Sequence, residues 1–129
     1  MTAFEILVTA GILFTVAAFV HIVVNKPTIG STFVAAIVCA GFAGFTTVTV
    51  MSEGFLPVWA NHTANLWGVQ VWWDLLISVS LALLLVVPRA NKVGMNILPW
   101  ALFVAATASI GLLAMVARLF WLERNQASS

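Results

Sequence analysis

The sequence predicts an all-α integral membrane protein, a bundle of four transmembrane helices with a long interfacial loop between helices 2 and 3. Composition, four apolar runs and the breaks between them point to it. Of 129 residues, 63% are hydrophobic and 7% charged, against about 45–50% and 25% in a soluble domain. So few charges cannot cover a water-facing surface. A hydrocarbon core of about 30 Å takes about 20 apolar residues per helix, and the runs 4–24, 32–51, 69–87 and 97–121 meet that requirement. No linker-like stretch and no internal repeat divides the chain, so it reads as one transmembrane domain over 1–129.

The first run follows Met1-Thr2-Ala3-Phe4-Glu5, which lacks the basic start of a signal peptide, and it reads as a permanent helix. Asn25-Lys26-Pro27 with Gly30-Ser31 makes the first turn, and Pro88 to Lys92 with Gly94 the third. Pro99 suits the first turn of the last helix, where its missing N–H costs nothing. The middle connection, 52–68, is long for a compact domain. It carries Glu53, Pro57, Trp59, Asn61, His62, Asn65 and Trp67, and is expected to lie along the membrane interface, partly helical, with Asn65 capping the third span.

Net charge is +1 and the five basic residues are scattered, so nucleic acid is not expected as a partner. Four crossings would put Lys26, Arg89 and Lys92 on one side and Arg118 and Arg124 on the other, which weakly favours the termini and the long loop outside. On the same reading, Trp59, Trp67, Trp72, Trp73 and Trp121 crowd the long-loop side, and Trp100 alone opposes them.

Asp74 is the most informative polar residue. It stands five residues into the third run, where a carboxylate is costly unless it pairs, protonates or meets water. Gln70, Asp74 and Ser78 share one helix face by their spacing of four, so this stripe is expected to look into the bundle. Arg118 is its natural partner, continuing a face of Thr107, Gly111 and Ala114 whose small residues would bring the third and fourth helices close. The plainer alternatives are a purely structural Asp74–Arg118 pair or an arginine that snorkels to the headgroups.

Glu53 and Glu5 would gather at the same end as Asp74, beside the Trp-rich lip, as a proton donor or a cation site requires. For each, a solvated helix end is the blander reading. His21 and His62 differ in depth by most of the membrane and cannot hold one haem between them. His62 could shuttle a proton or simply sit idle in its loop. Cys39 is the single cysteine and reads as a small packing residue, which leaves no disulfide within the chain and no Cys-based metal site. His62 near Glu53 and Asp74 could help bind a metal, but no metal site and no cofactor is expected. Asn61-His62-Thr63 matches a glycosylation pattern short enough to arise by chance. Ala36, Ala40, Gly44 and Thr47 form a small-residue face on the second run, suited to close packing within the bundle or against another subunit.

The stretch Asn65-Leu66-Trp67-Gly68-Val69-Gln70-Val71-Trp72-Trp73-Asp74-Leu75-Leu76-Ile77-Ser78, the basic turn with Gly94-Met95, and the ending Leu122-Glu123-Arg124 together resemble a small four-helix bacterial membrane family of unknown function. That family is distantly similar to integral-membrane terpene cyclases, and the likeness covers the second half of the chain. The resemblance implies a bacterial inner-membrane protein of four helices. In the cyclases, acids within the membrane protonate an isoprenoid epoxide or alkene, and by position Asp74 and Glu53 would be the catalytic pair here.

The leading expectation is a site for an isoprenoid, quinone or lipid at the Trp-rich end, with Trp67, Gln70, Trp73, Ser78, His62 and Arg118 around the ligand. Terpene-cyclase-like acid catalysis is its boldest form. The alternatives are a non-catalytic accessory subunit in a homo-oligomer or larger membrane complex, and a small proton-coupled exporter.

Overall fold

The computed structural model describes residues 1–129, which are helical apart from short connections. Their contacts divide them into two compact units, Met1–Gly30 and Ser31–Ser129.

The first unit is α1 (Ala3–Asn25) with its flanking residues. Thr2 and Glu5 close a capping box. The Glu5 N–H donates to the Thr2 hydroxyl at 3.2 Å and the Thr2 N–H to the Glu5 carboxylate at 2.6 Å, which satisfies two of the N–H groups a helix start leaves open. The helix stops where Lys26 turns left-handed, at φ 45°, just before Pro27.

In the second unit, α2 (Thr32–Glu53) starts at its cap Ser31 and ends at Gly54, whose φ of 80° suits a residue without a side chain. The middle connection holds a short helix, α3 (Leu56–Thr63), with Pro57 in its first turn. Asn65 then caps α4 (Leu66–Lys92), accepting from the Gly68 N–H at 2.8 Å. The helical piece and the cap match the expectation from sequence. A Cβ on Gly68 would overlap the Asn61 carbonyl, so glycine is what lets α3 fold back against α4.

Two boundaries differ from expectation. The third span runs to Lys92 rather than 87, with Pro88 inside the helix. Proline removes one N–H and does not by itself end a helix. Ala90, one turn from the end, is fully buried in the core, so packing holds that turn in place. The real stop is Gly94, at φ 78°, where the Gly94 and Met95 N–H groups return to the Asn91 and Ala90 carbonyls.

The fourth span is the larger correction. The run 97–121 is not one crossing but two helices, α5 (Ile97–Thr107) and α6 (Ser109–Ala127), broken at Ala108 with φ 52°. The protein therefore has three helices long and apolar enough to cross a membrane, α1, α2 and α4, and not the expected four. At 1.5 Å per residue α5 reaches only about 16 Å, half of a bilayer core.

The chain reverses at Ala108. Gly111 sits so close to α5 that a Cβ there would lie 2.7 Å from the Phe103 carbonyl oxygen and 2.7 Å from the Thr107 hydroxyl, whereas in one continuous helix residues 103 and 111 stand about 12 Å apart. The closeness expected between the third and fourth spans thus occurs within a helical hairpin.

Polar groups at the break are satisfied locally. Thr107 donates its hydroxyl proton to the Phe103 carbonyl and accepts from the Gly111 N–H, both at 2.8 Å, and the Cys39 thiol of α2 reaches the Ile110 carbonyl at 3.4 Å. Irregular backbone inside a membrane requires this kind of cover.

The core lies between the hairpin and the second half of α4. Ala90, Met95, Val104, Met115 and Leu119 are buried there, with Val79, Leu83, Val86 and Val87 of α4 packed around them. α2 packs along α6 through the side that carries Ala35 and Cys39. The small-residue face of Ala36, Ala40, Gly44 and Thr47 remains exposed.

Arg89 of α4 grips Glu123 of α6 with two parallel bonds, Nε to Oε1 at 2.8 Å and Nη2 to Oε2 at 2.6 Å. This pair ties the end of α6 to the end of α4, so Trp121 and Arg124 stand at the Arg89 end of the second unit, with Arg118 five residues before Glu123. The charge and tryptophan distribution expected from an even number of crossings falls with the fourth span. Replacing Glu123 by Gln is expected to lower stability by about 1 kcal/mol, because one charge-assisted bidentate contact is lost from a partly exposed site. A double-mutant cycle with Arg89→Gln, followed by denaturation in detergent, measures the coupling; zero coupling would remove the pair from the account.

Candidate functional site

The first half of α4 gathers four of the expected residues into one feature. Trp67, Gln70, Trp73 and Asp74, with Val71 and Ile77, line a groove of about 400 Å3. Spacings of three and four place them along one side of a single helix. The two indoles form apolar banks, and the Gln70 amide and Asp74 carboxylate supply the polar floor.

The direction in which this face looks is the main correction at the site. At 100° per residue, Gln70, Asp74 and Ser78 stand roughly opposite the face that carries Val79, Leu83, Val86 and Ala90 into the core. All three are exposed. The reason is competition for the inner face: β-branched and aliphatic residues take it in the second half of α4, and Trp72 takes it in the first half. The polar stripe is left turned outward, where no element of the second unit covers it.

Arg118 does not approach Asp74. It lies on α6 with its guanidinium 4.7 Å from the Trp121 ring centre, at the Arg89 end of the unit. Arg89 itself stands 15 residues beyond Asp74, about 22 Å along α4. Asp74 therefore has no cation from its own unit within reach, and the pairing expected from the sequence is replaced by Arg89–Glu123. That ion pair was missed because a straight fourth span would have put Glu123 on the wrong side of the membrane.

His62 stands near the groove on the other side of α4. Its ring lies 5.1 Å from that of Trp72, and its Nδ1–H donates to the Val58 carbonyl. A carbonyl can only accept, so Nδ1 carries a proton. The histidine orients Trp72 and fastens α3 to α4, but it is not among the groove's lining residues. Ser78 lies one turn beyond Asp74 and Glu53 at the exposed end of α2, both outside the lining. Glu5 is engaged in its capping box.

No three His, Cys, Asp or Glu side chains come together in a way that could hold a metal ion. His21 is bonded within α1, its Nδ1 3.0 Å from the Asn25 amide nitrogen.

Chemically, the groove offers one carboxylate, one amide and two large aromatic surfaces on a helix that is otherwise apolar. Such a site suits an amphiphile: a hydrocarbon body laid against the indoles, with a hydroxyl, amine or quinol head directed to Asp74 and Gln70. No family model, no curated protein and no solved structure matches this chain.

Proposed function

We propose that this is an integral membrane protein that binds a hydrophobic ligand, an isoprenoid, quinone or lipid, in the α4 groove, with Asp74 as its polar anchor. The observation that carries the reading is that Trp67, Gln70, Trp73 and Asp74 line one open groove along α4. A carboxylate that no cation of its own unit neutralises and that tryptophans flank is costly in an apolar setting. A hydrogen-bonding ligand head offsets that cost.

Binding is favoured over conversion. Acid catalysis of the terpene-cyclase kind would use Glu53 as well as Asp74, and Glu53 is not part of the groove. The test is to purify the chain in mild detergent and identify co-purifying lipids by mass spectrometry, beside Asp74→Asn. A specific prenyl or quinone species is expected with the parent chain and at least a ten-fold loss with the variant, while helicity and elution volume stay unchanged. Equal retention by both proteins would reject the site.

A second reading has its own support. The groove is lined by α4 alone, and the small-residue face of α2 is uncovered. Both features suit a subunit whose helices pack against further membrane helices, from a second copy or a larger complex. Stoichiometric partners in the same purification, with only bulk phospholipid in place of a specific ligand, would favour it.

A further inference from the structure

The break at Ala108 changes which end of the molecule carries the charge. Lys92 closes α4, Arg118 stands midway along α6 and Arg124 in its last turn, and the Arg89–Glu123 pair holds the ends of those two helices together. Four of the chain's five basic residues thus meet at one end of the second unit, against the single carboxylate Glu123. Lys92, Arg118 and Arg124 are exposed. Asp74 lies toward the other end of α4.

The closed end of the hairpin goes the other way. Ile110, two residues past the break, meets Cys39, which lies eight residues into α2, about 12 Å along its axis. The tip therefore stops about a third of the way along α2, a helix of 22 residues and about 33 Å. It is apolar, for α5 holds no charged residue, and its freed backbone groups are covered by Thr107 and Cys39. The open end is cationic and bears Trp121, half exposed beneath the Arg118 guanidinium, the amphipathic pairing that settles at the boundary between headgroups and acyl chains.

We infer that α5 and α6 form a re-entrant hairpin that enters and leaves the bilayer on one face, and that its cationic end, through Lys92, Arg118 and Arg124, binds anionic phospholipid headgroups of the cytoplasmic leaflet. The partner follows from charge: the exposed Lys92, Arg118 and Arg124, with Arg118 stacked on Trp121, suit phosphate-bearing lipids of net negative charge. The same distribution orients the unit, because basic residues are retained on the cytoplasmic side. The C-terminal end of α6 then lies inside and the α3 connection outside, whereas a chain of four crossings would leave both on one side.

Two measurements test this. In a Cys39→Ala background, Ala64→Cys and Ser129→Cys chains in intact cells are treated with a membrane-impermeant maleimide. Ala64→Cys is expected to react at once and Ser129→Cys only after permeabilisation. Reaction of both from the same side, or of Ser129→Cys from outside, overturns the inference.

For the lipid, native mass spectrometry of the full chain in detergent with equimolar phosphatidylglycerol and phosphatidylcholine is expected to show preferential retention of phosphatidylglycerol. That preference should fall at least five-fold in Lys92→Gln/Arg118→Gln/Arg124→Gln, given about five-fold per cation near a lipid surface. It should survive in Arg118→Lys/Arg124→Lys, which keeps the charge. Equal retention of the two lipids by the parent chain, or an unchanged preference in the triple variant, overturns the lipid assignment.

Discussion

Leu119→Ala is expected to destabilise the folded chain by about 2–5 kcal/mol, among the largest effects of any single truncation. Leu119 is fully buried, with Met115 beside it on α6 and Ala90, Met95 and Val104 from α4, its following turn and α5 around it. Removing its isobutyl group takes the wedge from between three elements that have little else to hold them, since only six hydrophobic residues of the whole chain are buried. A small core cannot collapse around such a void without separating its helices, which places the loss toward the upper part of the range. The comparison is Leu84→Ala, which removes the same atoms from an exposed position on α4. Unfolding in mixed detergent with denaturant should show a large shift for the first variant and almost none for the second. Equal shifts would mean that the hairpin does not pack on α4.

Gly111→Val should open the hairpin itself. Even an alanine Cβ would stand 2.7 Å from the backbone oxygen of Phe103 and from the Thr107 hydroxyl. Backbone on one side and a capping side chain on the other leave little room to give way. Overpacking of this kind costs about 1–3 kcal/mol for a single group, and the branched valine, with two methyls more, should exceed what alanine loses.

Cys39 supplies a direct reporter. Its thiol is partly buried against the Ile110 carbonyl at the hairpin tip, so if α6 swings away from α5, a thiol reagent should modify Cys39 markedly faster in detergent. Unchanged thiol reactivity together with unchanged stability would show that Gly111 is not the hinge of the turn.

Local chemistry made much of the fold legible without coordinates. The cap of α4 at Asn65 and the turn at Asn25 to Ser31 follow from side chains and backbone breaks that local signals announce, and the middle connection is partly helical as expected, though where its short helix lies came from the structure. The apolar content of α1, α2 and α4 fixed their membrane-spanning length in the same way. Gln70, Asp74 and Ser78 were legible as one face because helical spacing alone aligns them, whereas the place of Trp67 and Trp73 beside Gln70 and Asp74 came from the structure.

The break at Ala108 was not legible, because hydropathy averages over a window and a re-entrant pair of helices is as apolar as one span. The local signal was Thr107-Ala108-Ser109-Ile110-Gly111, in which a hydroxyl that can cap a new helix stands four residues before a glycine that permits close approach.

By itself, then, the sequence determined that this chain is helical and strongly apolar, and that one polar stripe of Gln70, Asp74 and Ser78 runs along its third apolar run, but it pointed to four crossings where the structure has three helices long enough to span. Only the tertiary structure decided that the last apolar run folds back on itself, that Glu123 rather than Asp74 receives an arginine, and that the polar stripe faces outward. Periodicity and capping act within a few residues, whereas the choice of which helix face is buried depends on which partner offers the better apolar fit, and that partner lies far along the chain.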